Sequence, residues 1–422
     1  MIYFFLIIFS AKDANTMKYL VLLCDGAADY PIKELDGKTP LAVASKPTMD
    51  MLAKKSLAGT VSNVPEGMVP ESDTANLAVM SYDPKLYSKG RSPLEAMSLG
   101  LEMAPDDTAY RCNVVTLGNP GDDEVPYEDK IMIDHGADEI TTAEADVLIK
   151  AIQAELGDEA KHFYTGVSYR HCLIWNNAPC FKDFMRPHDI LGQGIKEYLP
   201  EEPFLTLQKK SYGILKNHPV NLDRIKRGLR PANSAWFWSP GKKPALPSFK
   251  DKWGLNASVI SAVDLIKGIA ICAGMRSVDV EGATGNISTN FAGKAKAAIA
   301  EFKNGADYVY IHVESPDECG HRAELDNKIL SVEKIDADIL KPVYEYLCNS
   351  GEDFKILVLP DHPTPICKRT HTMDPVPFIL YHHSVSENGI DCYHEESARA
   401  TGLYVSKGEN LMELFINGRL VK

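Results

Sequence analysis

Along the chain, short and almost continuously apolar runs alternate with longer stretches whose apolar residues recur at helical spacing. Tyr19–Leu23, Tyr308–Val313 and Lys355–Leu359 are of the first kind, which predicts strands buried on both faces, as in a parallel sheet. Ser258–Ala273, Lys294–Phe302 and Lys328–Leu347 are of the second kind, which predicts helices packed on that sheet. The resulting βαβ rhythm predicts an α/β fold with a doubly wound, mostly parallel sheet. In such sheets the chemistry gathers beyond the carboxyl ends of the strands. Asp25, Asp317 and Asp361 stand at or just past such ends.

The middle of the chain breaks this rhythm. From about Thr108 to Pro240 there are more turn signals, several histidines and paired aromatics, as in WNNAP, RPHDI and NSAWFWSPGKKP. Residues 108–240 are therefore expected to form a smaller inserted α+β domain. Residues 17–107 and 241–422 form the core. The first sixteen residues, MIYFFLIIFSAKDANT, lack a basic start and are too short to span a bilayer. Met17 directly precedes a strand-like segment, so residues 1–16 are expected to be a non-native or disordered extension.

Composition narrows the partners. The 422 residues are 45% hydrophobic with a formal net charge of −13. An acidic surface argues against nucleic acid and anionic membranes as partners, but leaves room for a small anionic substrate held by a few basic side chains. Nine cysteines without CxxC pairs read as reduced thiols of a cytoplasmic protein.

The candidate chemistry lies in four stretches. Asp25 in VLLCDGAAD places a carboxylate at a strand end, although Asp-Gly is also a common turn. Ser72 in PESDTANLAVM precedes a helical run; its hydroxyl is either an N-cap or a nucleophile at a positive helix terminus. In YIHVESPDECGHRAE, Asp317 and His321 are four apart and share one face of a helical turn. In KILVLPDHPTPICKRTHT, Asp361 and His362 are adjacent and His371 follows. Two similar pairs, Asp158 with His162 and Asp134 with His135, are worse placed, the first in a charged, helix-like surface stretch. Together Asp25, Ser72, Asp317, His321, Asp361, His362 and His371 offer carboxylate, imidazole and hydroxyl donors without thiolates. That mixture suits Mn²⁺ or Zn²⁺ better than Ca²⁺. Two such ions a few ångströms apart would clamp a phosphoryl group and activate a serine.

These stretches, together with GRSPLEA, YRCNVVT, SYRH and SAVDLIKGIA, resemble the archaeal-type cofactor-independent phosphoglycerate mutases of the alkaline phosphatase superfamily, from Met17 to the C-terminus. The resemblance implies an alkaline-phosphatase-like core that interconverts 3-phosphoglycerate and 2-phosphoglycerate through a phosphoserine on Ser72. It implies two divalent ions, Mn²⁺ first with Zn²⁺ or Co²⁺ as alternatives, and no 2,3-bisphosphoglycerate. One ion is assigned to Asp25, Ser72, Asp361 and His362, the other to Asp317, His321 and His371. Arg170, Arg230 and Lys267 are assigned to the substrate, and His171 or Asp189 to protons on the glycerate hydroxyls. Trp236-Phe237-Trp238-Ser239-Pro240-Gly241 departs from the family's usual Trp-x-Trp-Gly-x-Gly, as does MIDHGADEITTAEA from its Gly-Arg-Ile pattern. The alternatives are therefore a bimetal phosphotransferase or phosphatase for another small phosphorylated metabolite, such as a homoserine-kinase-like enzyme, and a non-catalytic binding protein.

Overall fold

The computed structural model describes residues 17–118, 125–179 and 184–420. The extension read at residues 1–16 lies outside them. The chain forms two compact units. The first runs to Leu86 and includes Pro247–Ile266 and everything from Ala273 on; the second comprises Tyr87–Leu246 and Lys267–Cys272.

In chain order the strands are β1 (Lys18–Cys24), β2 (Leu57–Val61), β3 (Asp107–Gly118), β4 (Ile131–Asp134), β5 (Lys161–Val167), β6 (Arg170–Asn176), β7 (Ser234–Lys242), β8 (Ala257–Ile260), β9 (Arg276–Val278), β10 (Tyr308–Val313), β11 (Phe354–Leu359), β12 (Val376–His382) and β13 (Tyr404–Val405). The first unit holds an eight-stranded sheet in the order β13-β2-β12-β11-β1-β10-β8-β9. The run from β11 to β9 is parallel, while β12 lies antiparallel to both of its neighbours. The doubly wound, mostly parallel reading of the sequence describes this sheet.

β1 occupies the centre because every one of its residues is buried, which only a strand covered on both faces can sustain. Leu20 pairs with Val309 on one side and with Ile356 on the other. On one face Leu20, Leu22, Val309, Ile311, Ile356 and Val358 pack with Phe291, Phe302, Ile335 and Ile339 from the covering helices. The register sets Cys24 beside Val313 and Leu23 beside Leu359, so β1, β10 and β11 end together. The residues immediately after them must then share one small space.

Two expectations shift in detail. Helical spacing predicts one helix over Ser258–Ala273; the segment opens instead as β8 and becomes helical only at Asp264–Cys272. Val259 and Ile260 are β-branched and buried, and pairing with β10 on one side and β9 on the other overrides the helical spacing. Lys328–Leu347 is helical but interrupted: a π-helical turn at Ile335–Leu340 joins Leu325–Lys334 to Lys341–Ser350. Pro342 follows that turn and has no N–H for the ordinary i−4 bond, so wider winding upstream of it fits the sequence.

The second unit is built on an antiparallel sheet in which β3 pairs with β4, β6 and β7, and β5 pairs with β6. Helices Thr142–Leu156 and Phe204–Leu215 cover one face, where Tyr110, Cys112, Val114, Ile149, Phe204 and Phe237 form the core. His162, expected in a helix-like stretch, lies exposed on β5. No helix of the described residues is long and apolar enough to cross a membrane.

Candidate metal centre

Three strand ends and two helix starts converge in the first unit. Asp25 follows β1 and is 1% exposed. The chain then turns at Gly26 with φ +62°, and the Gly26 N–H donates to Asp361 Oδ1 at 3.1 Å. A Cβ at Gly26 would lie 2.5 Å from Thr364 Oγ1 and 2.7 Å from Asp317 Cα, so only glycine lets these segments approach. Asp361 is oriented by the Gly26 N–H, its neighbour's N–H, and Asn76 Nδ2 at 2.9 Å on Oδ2.

Ser72 opens the helix Ser72–Val79. Its carbonyl accepts from Asn76 Nδ2 at 2.8 Å, and its Oγ lies 3.2 Å from His362 Nε2. Tyr310, inside β10, donates its hydroxyl to Asn76 Oδ1 at 2.5 Å. A strand residue thus braces the amide that holds both Asp361 and the first turn of the Ser72 helix.

Asp317 and His321 lie on helix Ser315–Arg322 with Nε2 3.2 Å from Oδ2. His371 Nε2 lies 3.3 Å from Asp317 Oδ1 and 2.9 Å from His321 Nε2. The tautomers follow from the other ring nitrogens. His321 Nδ1 meets the Arg369 carbonyl at 3.0 Å and His371 Nδ1 meets the Pro70 carbonyl at 2.6 Å. A carbonyl only accepts, so both Nδ1 atoms carry hydrogen, which turns both Nε2 atoms toward each other and toward Asp317. Two Nε2 atoms 2.9 Å apart need a cation between them, a proton in the bare site or a metal ion in its place. This is the arrangement of metal-bound histidines, whose outer nitrogen donates to a carbonyl.

The neighbouring donors make the same demand. Asp25, His312 and Asp361 present ligand atoms within 4.8 Å of one another, as do Asp317, His362 and His371. His362 is shared, with Nε2 3.7 Å from Asp25 Oδ1 and 3.5 Å from Asp361 Oδ2, and its ring stacks on His371 at 3.9 Å. Asp25 Oδ1 and His312 Nε2 are buried without hydrogen-bond partners. His312 Nε2 does approach Asp25 Oδ2 at 2.9 Å, but off the axis that a hydrogen bond needs. Surplus acceptors closed off from water, and drawn from carboxylates and imidazoles alone, fit divalent cations.

The electrostatics agree. Burial, together with Asp361, Asp317 and Glu314, pushes Asp25 well above the usual carboxylate range. Burial and Asp317 push Glu314 up to about 7. The Asp317 hydrogen bond raises His321 to about 9 against burial. For Asp317 itself burial is the largest influence and opposes ionisation, yet His321 and His371 hold it well below its ordinary value. The bare donor set thus keeps protons where a cation would remove them.

The structure brings Asp25, Ser72, Asp317, His321, Asp361, His362 and His371 into one cluster. The remaining candidates lie in the second unit. Arg170 begins β6, exposed over the Tyr169 ring at 5.8 Å. Its neighbour His171 is 4% exposed, accepts from the Gly166 N–H at 3.1 Å, and is pushed down to about 4 by burial. Arg230 is engaged by Asp134 at 2.9 Å and Asp138 at 3.4 Å. Asp189 sits in the 3-10 turn Pro187–Ile190, 3.6 Å from His188 Nε2. Lys267 lies on Asp264–Cys272.

Sequence reasoning missed His312, Asn76 and Thr364. His312 had a signal, as the one imidazole within an otherwise apolar and aromatic strand. Asn76 lies four residues after Ser72, on the same face of the helix. Thr364, whose hydroxyl donates to Asp317 Oδ1, had none beyond its place after Asp361-His362.

The family model for 2,3-bisphosphoglycerate-independent phosphoglycerate mutase matches residues 53–221. A protein of Geobacter sulfurreducens described as a probable 2,3-bisphosphoglycerate-independent phosphoglycerate mutase is 46% identical over 407 residues, covering 95% of this chain and 100% of its own. One from Methanosarcina barkeri, described as 2,3-bisphosphoglycerate-independent phosphoglycerate mutase, is 44% identical over 96% of this chain and 100% of its own. Among solved structures, a Pyrococcus horikoshii protein superposes with TM-score 0.77 at 28% identity, covering 96% of this chain and 97% of its own. The cofactor-independent phosphoglycerate mutase of Thermoplasma acidophilum gives 0.64 at 24% identity over 95% and 99%, a likeness of fold.

Proposed function

The chain belongs to the 2,3-bisphosphoglycerate-independent phosphoglycerate mutase family, and from that premise we propose that it interconverts 3-phosphoglycerate and 2-phosphoglycerate through a phosphoserine on Ser72. The observation that carries this reading is the Ser72 hydroxyl. It stands at a helix N-terminus, 3.2 Å from His362 Nε2, among buried carboxylates that lack enough positive charge of their own.

Asp25, Ser72, Asp361 and His362 would hold one divalent cation, and Asp317, His321 and His371 the other. When bound, the cations supply the positive charge that makes a serine hydroxyl a nucleophile at neutral pH and offsets charge on the phosphoryl oxygens. The chain does the rest. Ser72 Oγ exchanges its proton for the phosphoryl group as the ester bond to glycerate breaks, and the N–H groups of its helix face the transferred oxygens. Asn76 and Asp361 keep Ser72 aligned. The glycerate must stay bound, reorient and take the phosphoryl group back on its other hydroxyl. Water reaching the phosphoserine would instead release phosphate.

We assign the grip on the carboxylate to Arg170, Arg230 and Lys267, with residues 108–240 as the substrate-binding lid. Arg230 would exchange its partners Asp134 and Asp138 for substrate. His171, neutral near pH 7, or Asp189 would handle the hydroxyl protons. Mn²⁺ is the proposed metal, because carboxylate and hydroxyl oxygens, which suit it, make up four of the seven proposed donor residues. The cytoplasm is the proposed location, supported by eight free cysteines among the described residues.

The test is to incubate the Mn²⁺-loaded protein with 3-phosphoglycerate and follow phosphorus resonances. The expected product is 2-phosphoglycerate without free phosphate; free phosphate alone would overturn the mutase reading in favour of a phosphatase. Ser72→Ala should lower turnover by about 10⁴-fold or more, the scale seen when an enzyme loses its nucleophile. Near-normal turnover by that variant would remove Ser72 from its role.

A further inference from the structure

Beneath the cluster lies a buried ammonium that the reaction does not itself use. Lys328, on helix Leu325–Lys334, has a fully buried side chain, and so does its partner Asp29. Its Nζ donates to Asp29 Oδ2 at 2.7 Å, to the Thr364 carbonyl at 2.7 Å and to the Ala28 carbonyl at 3.4 Å. An ammonium has three hydrogens, and all three are used.

Each partner belongs to a segment that carries proposed ligands. Ala28 and Asp29 end the turn that begins at Asp25. Thr364 follows Asp361-His362, and its hydroxyl donates to Asp317. Lys328 itself continues the chain from the helix of Asp317 and His321. Asp29 strengthens the tie, since its carboxylate also accepts from the Ile366 N–H at 3.1 Å and the Tyr30 N–H at 2.8 Å. Behind it, the Asp29 N–H donates to Glu395 Oε1 at 2.9 Å, and Thr39 Oγ1 donates to Glu395 Oε2 at 2.6 Å.

A buried ion pair gains little stability over a well-packed apolar substitute, because desolvation consumes most of the attraction. What Lys328 provides that an apolar side chain would not is three directed bonds to three different segments, plus one positive charge beside an excess of carboxylates. We propose that Lys328 is a positioning residue of the metal–phosphoryl centre, holding the Asp25, Asp361-His362 and Asp317 segments in the register that the cations require. This rests on the two-cation reading given above.

The test measures Mn²⁺ binding by calorimetry, thermal unfolding with and without Mn²⁺, and kcat and KM for 3-phosphoglycerate, in wild type, Lys328→Met and Asp29→Asn. The expected result is Mn²⁺ affinity about 10- to 100-fold weaker, the range for groups that orient metal ligands. At limiting Mn²⁺, kcat should fall by a similar factor with KM within about twofold, and excess Mn²⁺ should restore much of it. If Lys328→Met does not fold, Asp29→Asn decides, because it keeps the ammonium and both carbonyl acceptors while removing the charge pairing. Folded variants with wild-type Mn²⁺ affinity and only a lowered melting temperature would overturn the proposal. A wild type that binds two Mn²⁺ but does not isomerise phosphoglycerate would refute the substrate reading, while the affinity comparison would still judge Lys328.

Discussion

The sheet of the first unit carries an Asp–His cluster at each end of β11, and the two are chemically alike but physically opposite. At the amino end, Asp353 Oδ2 meets His382 Nε2 at 3.0 Å and accepts from Ser384 Oγ at 2.7 Å, while Asp353 Oδ1 accepts from the Phe354 N–H at 2.9 Å. Every acceptor has a donor, and the side chains are 17% and 23% exposed. At the carboxyl end, Asp361 and His362 are almost wholly buried beside Asp25, whose Oδ1 has no partner, and their neighbours His321 and His371, 35% and 18% exposed, bring their Nε2 atoms within 2.9 Å of each other. Residue types alone therefore do not mark a metal site. An excess of acceptors over donors, with its carboxylates closed off from water, does.

The comparison breaks most sharply on activity. His362→Ala should cost turnover more than the roughly 100-fold that an outer partner of a metal ligand costs, since it removes a ligand itself. His382→Ala, on β12 beside the amino end of β11, should leave steady-state turnover within about twofold of wild type, as expected for a satisfied surface pair. Equal losses in both variants would mean that the two ends differ less than their geometry says.

A second separation is by pH. His321 is raised to about 9 by Asp317, so between neutral pH and about 9 an entering cation must displace a proton. Mn²⁺ affinity should then rise by at least about tenfold per pH unit between neutral pH and about 9, and more steeply where the raised Asp25 carboxyl also gives up a proton. Calorimetry in buffers of different ionisation heat should count the released proton. The sign for the metal-free protein is the reverse. A histidine raised on folding contributes stability that is full below its unfolded value near 6.5, and that is lost as pH rises through about 9. Affinity that does not change with pH would show that no proton occupies the pocket.

How much of this was legible in the sequence follows the same division. The central strands could be read because β1, β10 and β11 are buried on both faces, and burial of that kind writes itself as unbroken apolarity. The ligand stretches could be read because each follows one of those strands directly. β8 could not be read, since four residues of strand running into a helix look helical by spacing, and only its neighbours β10 and β9 decide otherwise. Lys328 was invisible for a related reason. A lysine in an amphipathic helix reads as a solvated residue, and its three acceptors come from positions up to 300 residues away. The second unit was read least well, because side chains such as Arg230 and His171 are governed by cross-strand and loop partners that no local pattern announces.

The smallest expected effect lies at the amino end of β11. Burial raises Asp353 somewhat, but the Ser384 and His382 hydrogen bonds lower it more, so its folded pKa lies below the ordinary value. A carboxylate depressed on folding contributes stability above its unfolded value near 4, lost only as pH falls through the lower folded one. Asp353→Asn should therefore cost the same at pH 7 as at pH 5, and no more than about 1 kcal/mol, because solvent screens a partly exposed pair. Urea unfolding midpoints at the two pH values check this. A cost that differed between the two pH values would contradict the lowered folded pKa that the Ser384 and His382 hydrogen bonds give Asp353. A cost well above 1 kcal/mol would place this end of the strand with the buried cluster, and the contrast between the two ends would then rest on activity alone.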